Sequence, residues 1–432
     1  MAISSANHAN VILGPYSQAV AMSVVPKISA TLSLIGSTCI VMEVLADHRA
    51  VTGNVVKRIL LGMSACDLFM SFAWILSTWP SPAEDTIEPF AIGNRQTCTF
   101  QGIFLQFGNC ATPMYNGALA LCYMLKVRYN WKETRLEFLE RWIHFFILGI
   151  AGGTSLVSLP LTLYNNHMYA CWIAEYPLGC KQSYMLNPGE VTDCIRGDNA
   201  TIYAFAFLNI WIWLSYAVIL FSMAMMYQHV SQTERASIFY RRRASMMRIQ
   251  SHQSKNKNEQ TNRVSFSSYL FFNKIESEEE KAIRARMTKT NSLVRQAWWY
   301  VGAYFLTEIP DTFCSSMFAA VGFYNFWVYI VSYFLNPGQG FANFLVFART
   351  RPEMHYPLSR AMKRIFFFQE CTTWRRNSLA KTEDLNVTYQ NGELDIDDLE
   401  LQMDEIKLKK LEYGEEVLEV AEEVCSSEGN VD

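Results

Sequence analysis

Residues Val56 to Trp79 read VKRILLGMSACDLFMSFAWILSTW. After Lys57 and Arg58 the stretch is apolar or small for about 20 residues, the length that crosses roughly 30 Å of hydrocarbon. One acid, Asp67, interrupts it midway. Lipid offers no water to backbone amides, so such a run must be a helix. Six further runs lie outward along the chain: Pro26–Ala46, Thr99–Leu125, Trp142–Tyr164, Thr201–Tyr227, Ala297–Gly322 and Asn325–Phe347. Seven such runs in one domain leave no polar faces, which argues against a soluble helical core. The expectation is an all-α membrane protein, a bundle of seven transmembrane helices.

Lysine and arginine orient the runs, because basic short loops stay in the cytoplasm. Arg49, Lys57 and Arg58 fall between runs one and two. Lys126, Arg128, Lys132, Arg135 and Arg141 follow run three, and Arg241, Arg242, Arg243 and Arg248 follow run five. Arg349, Arg351, Arg360, Lys363 and Arg364 follow run seven. The opposite loops hold only Arg95, Lys181 and Arg196. The N-terminus is therefore expected outside and the tail inside a multi-pass protein of the plasma membrane. No basic segment precedes run one, so that run is expected to act as its own insertion signal.

Composition agrees. Half of the 432 residues are hydrophobic and 18% are charged, against about 25% charged in soluble domains. The mean hydropathy of +0.05 averages apolar runs with a polar tail. The expected organisation is a short external segment (1–25), a seven-helix unit (26–347), a juxtamembrane amphipathic helix (348–370) and an acidic tail (371–432). Within the unit, residues 228–295 are too polar to order by burial and read as a disordered cytoplasmic loop. After run seven, basic residues alternate with Met362, Ile365, Phe366 and Phe367, a pattern suited to the inner bilayer surface. In the tail, Ile396, Leu399, Met403 and Ile406 keep helical spacing among acids, as in a short helix formed on a partner.

Enzymatic signatures are missing. The seven histidines are scattered, with only His144 in a run, and no cysteine pair has metal-ligand spacing. There is no glycine-rich phosphate loop, and run seven contains no lysine for a retinal Schiff base. No catalytic residue, metal, cofactor or nucleic-acid partner is expected.

Other residues invite function. Cys98 and Cys171 both face an oxidising compartment, and a bridge between them would pin the long external loop over the bundle. Cys180 and Cys194 are either a second bridge or free thiols. Asn199-Ala200-Thr201 is a glycosylation sequon close to run five. Asp67, Glu308 and Asp311 are acids at membrane depth, tolerated where they face other helices. Each is either a structural hydrogen-bonding group or part of a switch, and for Asp67 the switch reading is preferred, with Asn336 and Asn343 as partners. Pro310 and Pro337 each remove a helical hydrogen bond, giving a hinge or a static kink. Gln106, Asn109, Trp299 and Glu308 bracket a ligand pocket beneath the long external loop. Glu84, Asp85, Glu88, Glu175, Glu190 and Asp193 make the outer face acidic, which disfavours a highly anionic ligand. Arg241-Arg242-Arg243-Ala244-Ser245 has the form of a basophilic kinase site at Ser245, and Cys371 is a candidate for palmitoylation.

Together, the orientation, Cys98 with Cys171 and Asn336-Pro337 resemble G-protein-coupled receptors. Ser64-Ala65-Cys66-Asp67-Leu68, Cys171-Trp172, Arg128-Tyr129-Asn130-Trp131 and Asn336-Pro-Gly-Gln-Gly-Phe-Ala-Asn343 are similar to motifs of the slime-mould cyclic-AMP-receptor-like branch and its secretin-like relatives. Unlike rhodopsin-like receptors, the chain has Lys126-Val127 rather than an acid before Arg128, and Asn343-Phe344 near where they carry tyrosine. The resemblance covers about Pro26 to Phe366. It implies a receptor for an extracellular ligand, with Asp67, Arg128, Pro310, Asn336, Pro337 and Asn343 in the activation machinery. It also implies a heterotrimeric G protein as partner, with kinase or arrestin-like regulators. The alternative is a transporter or channel in which Asn336–Gly340 breaks a helix at mid-membrane.

Overall fold

A computed structural model describes residues 15–47, 53–84, 88–177, 180, 194–255, 290–317, 325–350 and 354–363. Side chains at 234 and 236–255 are outside that description, as are Cys371, the acidic tail and much of the external loop. The elements are α1 (Tyr16–Ala46), α2 (Val55–Leu76), α3 (Arg95–Tyr129), α4 (Glu133–Val157), β1 (Tyr164–His167), β2 (Ala170–Ile173) and α5 (Ala200–Ala204). A π-helical turn (Phe205–Asn209) joins α5 to α6 (Ile210–Lys255). Helix α7 spans 290–317. Helix α8 (Phe326–Leu335) passes through a 3-10 turn (Asn336–Gly338) into α9 (Gln339–Thr350), and α10 spans 357–363.

Three helical stretches are long and apolar enough to cross a membrane among the described residues: Tyr16–Ala46, Val55–Leu76 and Ala200–Thr233. The chain is a mostly helical membrane protein. Other helices dilute their hydropathy for identifiable reasons. Helix α3 buries Gln101, Gln106, Thr112 and Asn116 inside the protein. Helix α7 carries Arg295, Glu308 and Asp311. The seventh run is divided at Asn336-Pro337, where proline lacks the amide that would continue the ladder.

Helix α3 packs against α2, α4, α6 and both strands, so it is the central post. The main core gathers around it, with Tyr115, Tyr123, Met63, Ile59, Tyr304 and Phe344 almost wholly enclosed. Helices α1 and α9 approach closely. A Cβ on Gly340 would collide with the hydroxyls of Ser33 and Ser37, and Gly340 N donates to Ser33 Oγ at 3.0 Å. Small residues at such a contact let helix backbones meet in lipid.

Several boundaries differ from the sequence reading. Helix α1 starts at Tyr16 with Pro26 inside it, although proline more often marks a first turn. Helix α4 starts at Glu133, well before Trp142, because its early acids are paired with basic residues of α2 and α3. Arg58 meets Glu140 with both Nε and Nη2 at 2.7 Å, and Lys126 reaches Glu133 at 2.5 Å. Helical backbone also continues through α6 to Lys255, into the segment expected to be disordered. A helix already nucleated in the membrane propagates with no need to bury apolar area. Ser245 lies on that backbone extension, with its side chain outside the description.

Candidate functional site: a capped cavity and a polar ladder

The outer end of α3 is set by Asn94, whose Oδ1 accepts from Gln96 N at 2.9 Å and Thr97 N at 3.0 Å. Such a cap satisfies amides that have no helical partner. It fixes Cys98 in the next turn, where it is bonded to Cys171 of β2 with Cα atoms 5.2 Å apart. The second pair, Cys180 and Cys194, is also bonded. Strands β1 and β2 form a hairpin with Asn166 opposite Cys171 and His167 opposite Ala170. The bridge therefore lays the hairpin across the mouth of the helices.

Buried amides hold it there. Gln101 Nε2 donates to the α2-end carbonyls of Ala73 and Ser77, while its Oε1 accepts from Cys171 N at 2.9 Å. Gln106 Oε1 accepts from Trp172 Nε1 at 2.9 Å, and its Nε2 reaches Phe207 O in the π turn at 3.0 Å. Tyr333 OH donates to Met168 O at 2.6 Å. On the outer rim, Glu88 Oε1 accepts from Tyr169 N at 2.9 Å. Burial raises the Glu88 carboxyl above the usual carboxylate range, against the hydrogen bonds that favour its charge.

Beneath the hairpin lies a cavity of about 180 Å³. Its wall includes Trp74 from α2, Asn109 from α3, His167 and Trp172 from the hairpin, Asn209 from the π turn, Asp311 from α7 and Tyr333 from α8. Burial pushes the His167 imidazole down to about 4, so it is neutral at physiological pH.

Below the cavity, polar pairs descend along α7, α8 and α9. Ser332 Oγ donates to Asp311 Oδ1 at 3.0 Å. Asn336 Nδ2 donates to Glu308 Oε2 at 3.1 Å. Deeper, Asp67 Oδ2 accepts from Asn343 Nδ2 at 3.1 Å and its Oδ1 accepts from Thr112 Oγ1 at 2.8 Å. Spacings of four and seven return Ser332, Asn336 and Asn343 to one stripe of the helix.

These positions correct three readings. Asn336 is bonded to Glu308 and not to Asp67. The partner that sequence reasoning missed is Thr112, for which a threonine in an apolar helix gives no distinguishing signal. Trp299 is not in the pocket: Arg349, at the C-terminal end of α9, lies 4.6 Å above its ring. The reason is direction. Helix α7 runs towards the hairpin, so its early residues are the far ones, and Asp311 sits about 18 Å nearer the cavity at 1.5 Å per residue. Glu308 is likewise below the cavity, whose α7 lining is Asp311, Thr312 and Ser315. Gln106 supports the wall through Trp172, whereas Asn109 lines it. Arg128 ends α3 with its guanidinium 5.8 Å from the Tyr129 ring. Pro310 lies within α7, and Asn199 directly precedes α5.

No protein-family model matches the chain, and no curated protein matches it. Among solved structures, the crystal structure of squid rhodopsin is similar over 83% of each chain, at 10% identity and a TM-score of 0.52. The chain thus has a rhodopsin-like fold.

Proposed function

We propose that the chain is a seven-helix cell-surface receptor that conveys binding of an extracellular ligand to a heterotrimeric G protein, without enzymatic activity. The seven crossings are α1, α2, α3, α4, α5–α6, α7 and α8–α9. The observation that carries this reading is the ladder from the capped cavity at Asp311–Ser332, through Glu308–Asn336, to Asp67–Asn343–Thr112. A ligand touching Asp311 acts on the α7–α8 contact directly. A shift there is passed to α2 and α3 through the Glu308–Asn336 and Asp67–Asn343–Thr112 pairs. The ligand prefers one of two packings and shifts their populations. Pro310 and Pro337 are the hinges, and Arg128 lies at the cytoplasmic cleft that opens when the inner end of α7 swings out. The resemblance of the motifs on α2 and across the α8–α9 break to the slime-mould cyclic-AMP-receptor-like branch supports a receptor of that kind. Ser245, Cys371 and Asn199 are its phosphorylation, lipidation and glycosylation positions, and the plasma membrane is its location.

The test uses the full chain in lipid nanodiscs with a panel of purified heterotrimeric G proteins. Receptor-catalysed nucleotide exchange, basal or raised by a ligand from a screened library, supports the reading. No exchange with any G protein, together with solute uptake by the same protein in sealed vesicles, would overturn it in favour of a transporter.

A further inference from the structure

The cavity wall is one-sided in charge. Asp311 and Glu175 line it, and no lysine or arginine does so among the described residues. His167 adds no positive charge, because burial holds it neutral. Among the described residues Asp311 receives one hydrogen bond, from the neutral Ser332 hydroxyl on Oδ1, and no ion pair reaches it. A carboxylate withdrawn from water is undercompensated by a single neutral donor. Aromatic rings stand near. Trp74 and Tyr333 meet edge to face at 5.4 Å, and Tyr329 lies 6.5 Å from Tyr333. The Tyr333 and Tyr329 hydroxyls are engaged by the carbonyls of Met168 and Cys314, so what these residues add to the wall is aromatic ring, a group that attracts cations. The side chains of two further wall residues, Asn109 and Asn209, form no hydrogen bond with any described residue and leave amides open to an occupant.

From these features we infer that the cavity takes a small monocation: an ammonium group on a short, largely apolar body with one further hydrogen-bonding group. Asp311 is its counter-ion. Asn109 and Asn209 serve the second polar group, and the tyrosine and tryptophan faces flank the body. A volume of about 180 Å³ lies below the common range of roughly 300–1,000 Å³ for drug-sized ligands, so the occupant is small. The acids of the outer face raise the local concentration of such a cation and repel anions. The inference rests on the receptor reading only for the place where the ligand binds.

Three probes of one shape separate charge from fit: tyramine (cation), 4-(2-hydroxyethyl)phenol (neutral) and 3-(4-hydroxyphenyl)propionate (anion). Equilibrium binding of each to the full chain in nanodiscs, without G protein, is the measurement. Tyramine should bind at least about tenfold more tightly than the neutral probe, and the anion most weakly. Asp311→Asn should weaken tyramine on the order of ten- to hundredfold, the scale of a charge-assisted hydrogen bond, while moving the neutral probe no more than about twofold. Asp311→Glu, which keeps the charge, should retain most tyramine affinity, and both variants should unfold at the wild-type temperature. Equal binding of the cation and neutral probes, preference for the anion, absence of saturable binding by all three, or an unchanged tyramine affinity in Asp311→Asn would each overturn the inference. Nucleotide exchange measured on the same nanodiscs keeps the two readings apart. Cation-selective binding with no exchange by any G protein upholds the ligand class while counting against the receptor. Exchange driven by an anionic library compound does the reverse.

Discussion

Asp67→Asn keeps the size of the side chain but gives it one acceptor where it had two. Asp67 accepts from Thr112 Oγ1 at 2.8 Å and from Asn343 Nδ2 at 3.1 Å. If the new carbonyl serves Asn343, the new amide faces Thr112, whose hydroxyl can turn to accept. If it serves Thr112, two NH₂ groups face each other across α2 and α9. Either way at least one charge-assisted bond is lost, worth about 1.5–3 kcal/mol. That shifts an equilibrium between two packings by roughly ten- to hundredfold. Asp67 lies below the cavity and is not in its wall, so ligand affinity should change little while G-protein activation changes strongly. The assay pairs equilibrium binding with nucleotide exchange in nanodiscs, using a ligand from the screen. A double-mutant cycle then locates the coupling: Asp67→Asn with Asn343→Ala should be less than additive, because both break one contact. Asp67→Asn with Asn336→Ala should be nearly additive, because Asn336 is bonded to Glu308. Normal exchange by Asp67→Asn at normal surface expression would refute the switch and leave Asp67 a structural hydrogen-bonding residue.

The external cap should respond to reduction. Replacing Cys98 or Cys171 by Ser opens a closure spanning 73 residues, worth at most about 4 kcal/mol of loop entropy because membrane helices persist in the unfolded state. Thermal unfolding should reveal the loss, and peptide mapping that found either thiol free in folded wild type would contradict the bridge. His167 should make the cap acid-sensitive. Its folded value of about 4 lies below the ordinary 6.5, so the folded form binds the proton less tightly, and stability falls as pH drops from about 6.5 towards 4. His167→Asn should flatten that slope in melting curves; an unchanged slope would exclude His167 as its source. Near the C-terminal end of α1, Glu43 accepts from His355 N at 2.8 Å and Tyr356 N at 2.9 Å, fixing the start of α10. Glu43→Gln removes the charge and one acceptor, so a spin label at position 360 should become more mobile.

The mostly helical membrane fold and the Cys98–Cys171 pairing could be read from sequence because each rests on a coarse property, apolar length in the first case and two cysteines on the same side of the helices in the second. The Asp67–Asn343 contact was legible for a related reason: a lone acid in an apolar helix must find a polar partner, and few exist. The β1–β2 hairpin was not legible. Its two-residue turn is Met168-Tyr169, with φ of 38° and 69°, where tight hairpins ordinarily use Asn-Gly, Asp-Gly or Gly-Gly. Neither residue advertises a turn, and both sit in positive φ because tertiary contacts hold them. Tyr333 binds the Met168 carbonyl, Glu88 binds the Tyr169 amide, and the adjoining strand is bonded through Cys171 to α3. The same three contacts tie the cap to α8, to the outer loop and to the central post. A ligand beneath this hairpin therefore sits under a lid whose backbone is shaped by the helices around it, and Tyr333 belongs both to that lid's support and to the cavity wall. Displacing Tyr333 would loosen the turn as well as the pocket. The cap and the α7–α8 contact at Asp311–Ser332 consequently belong to one mechanical unit, since Ser332 is the residue immediately before Tyr333 on α8.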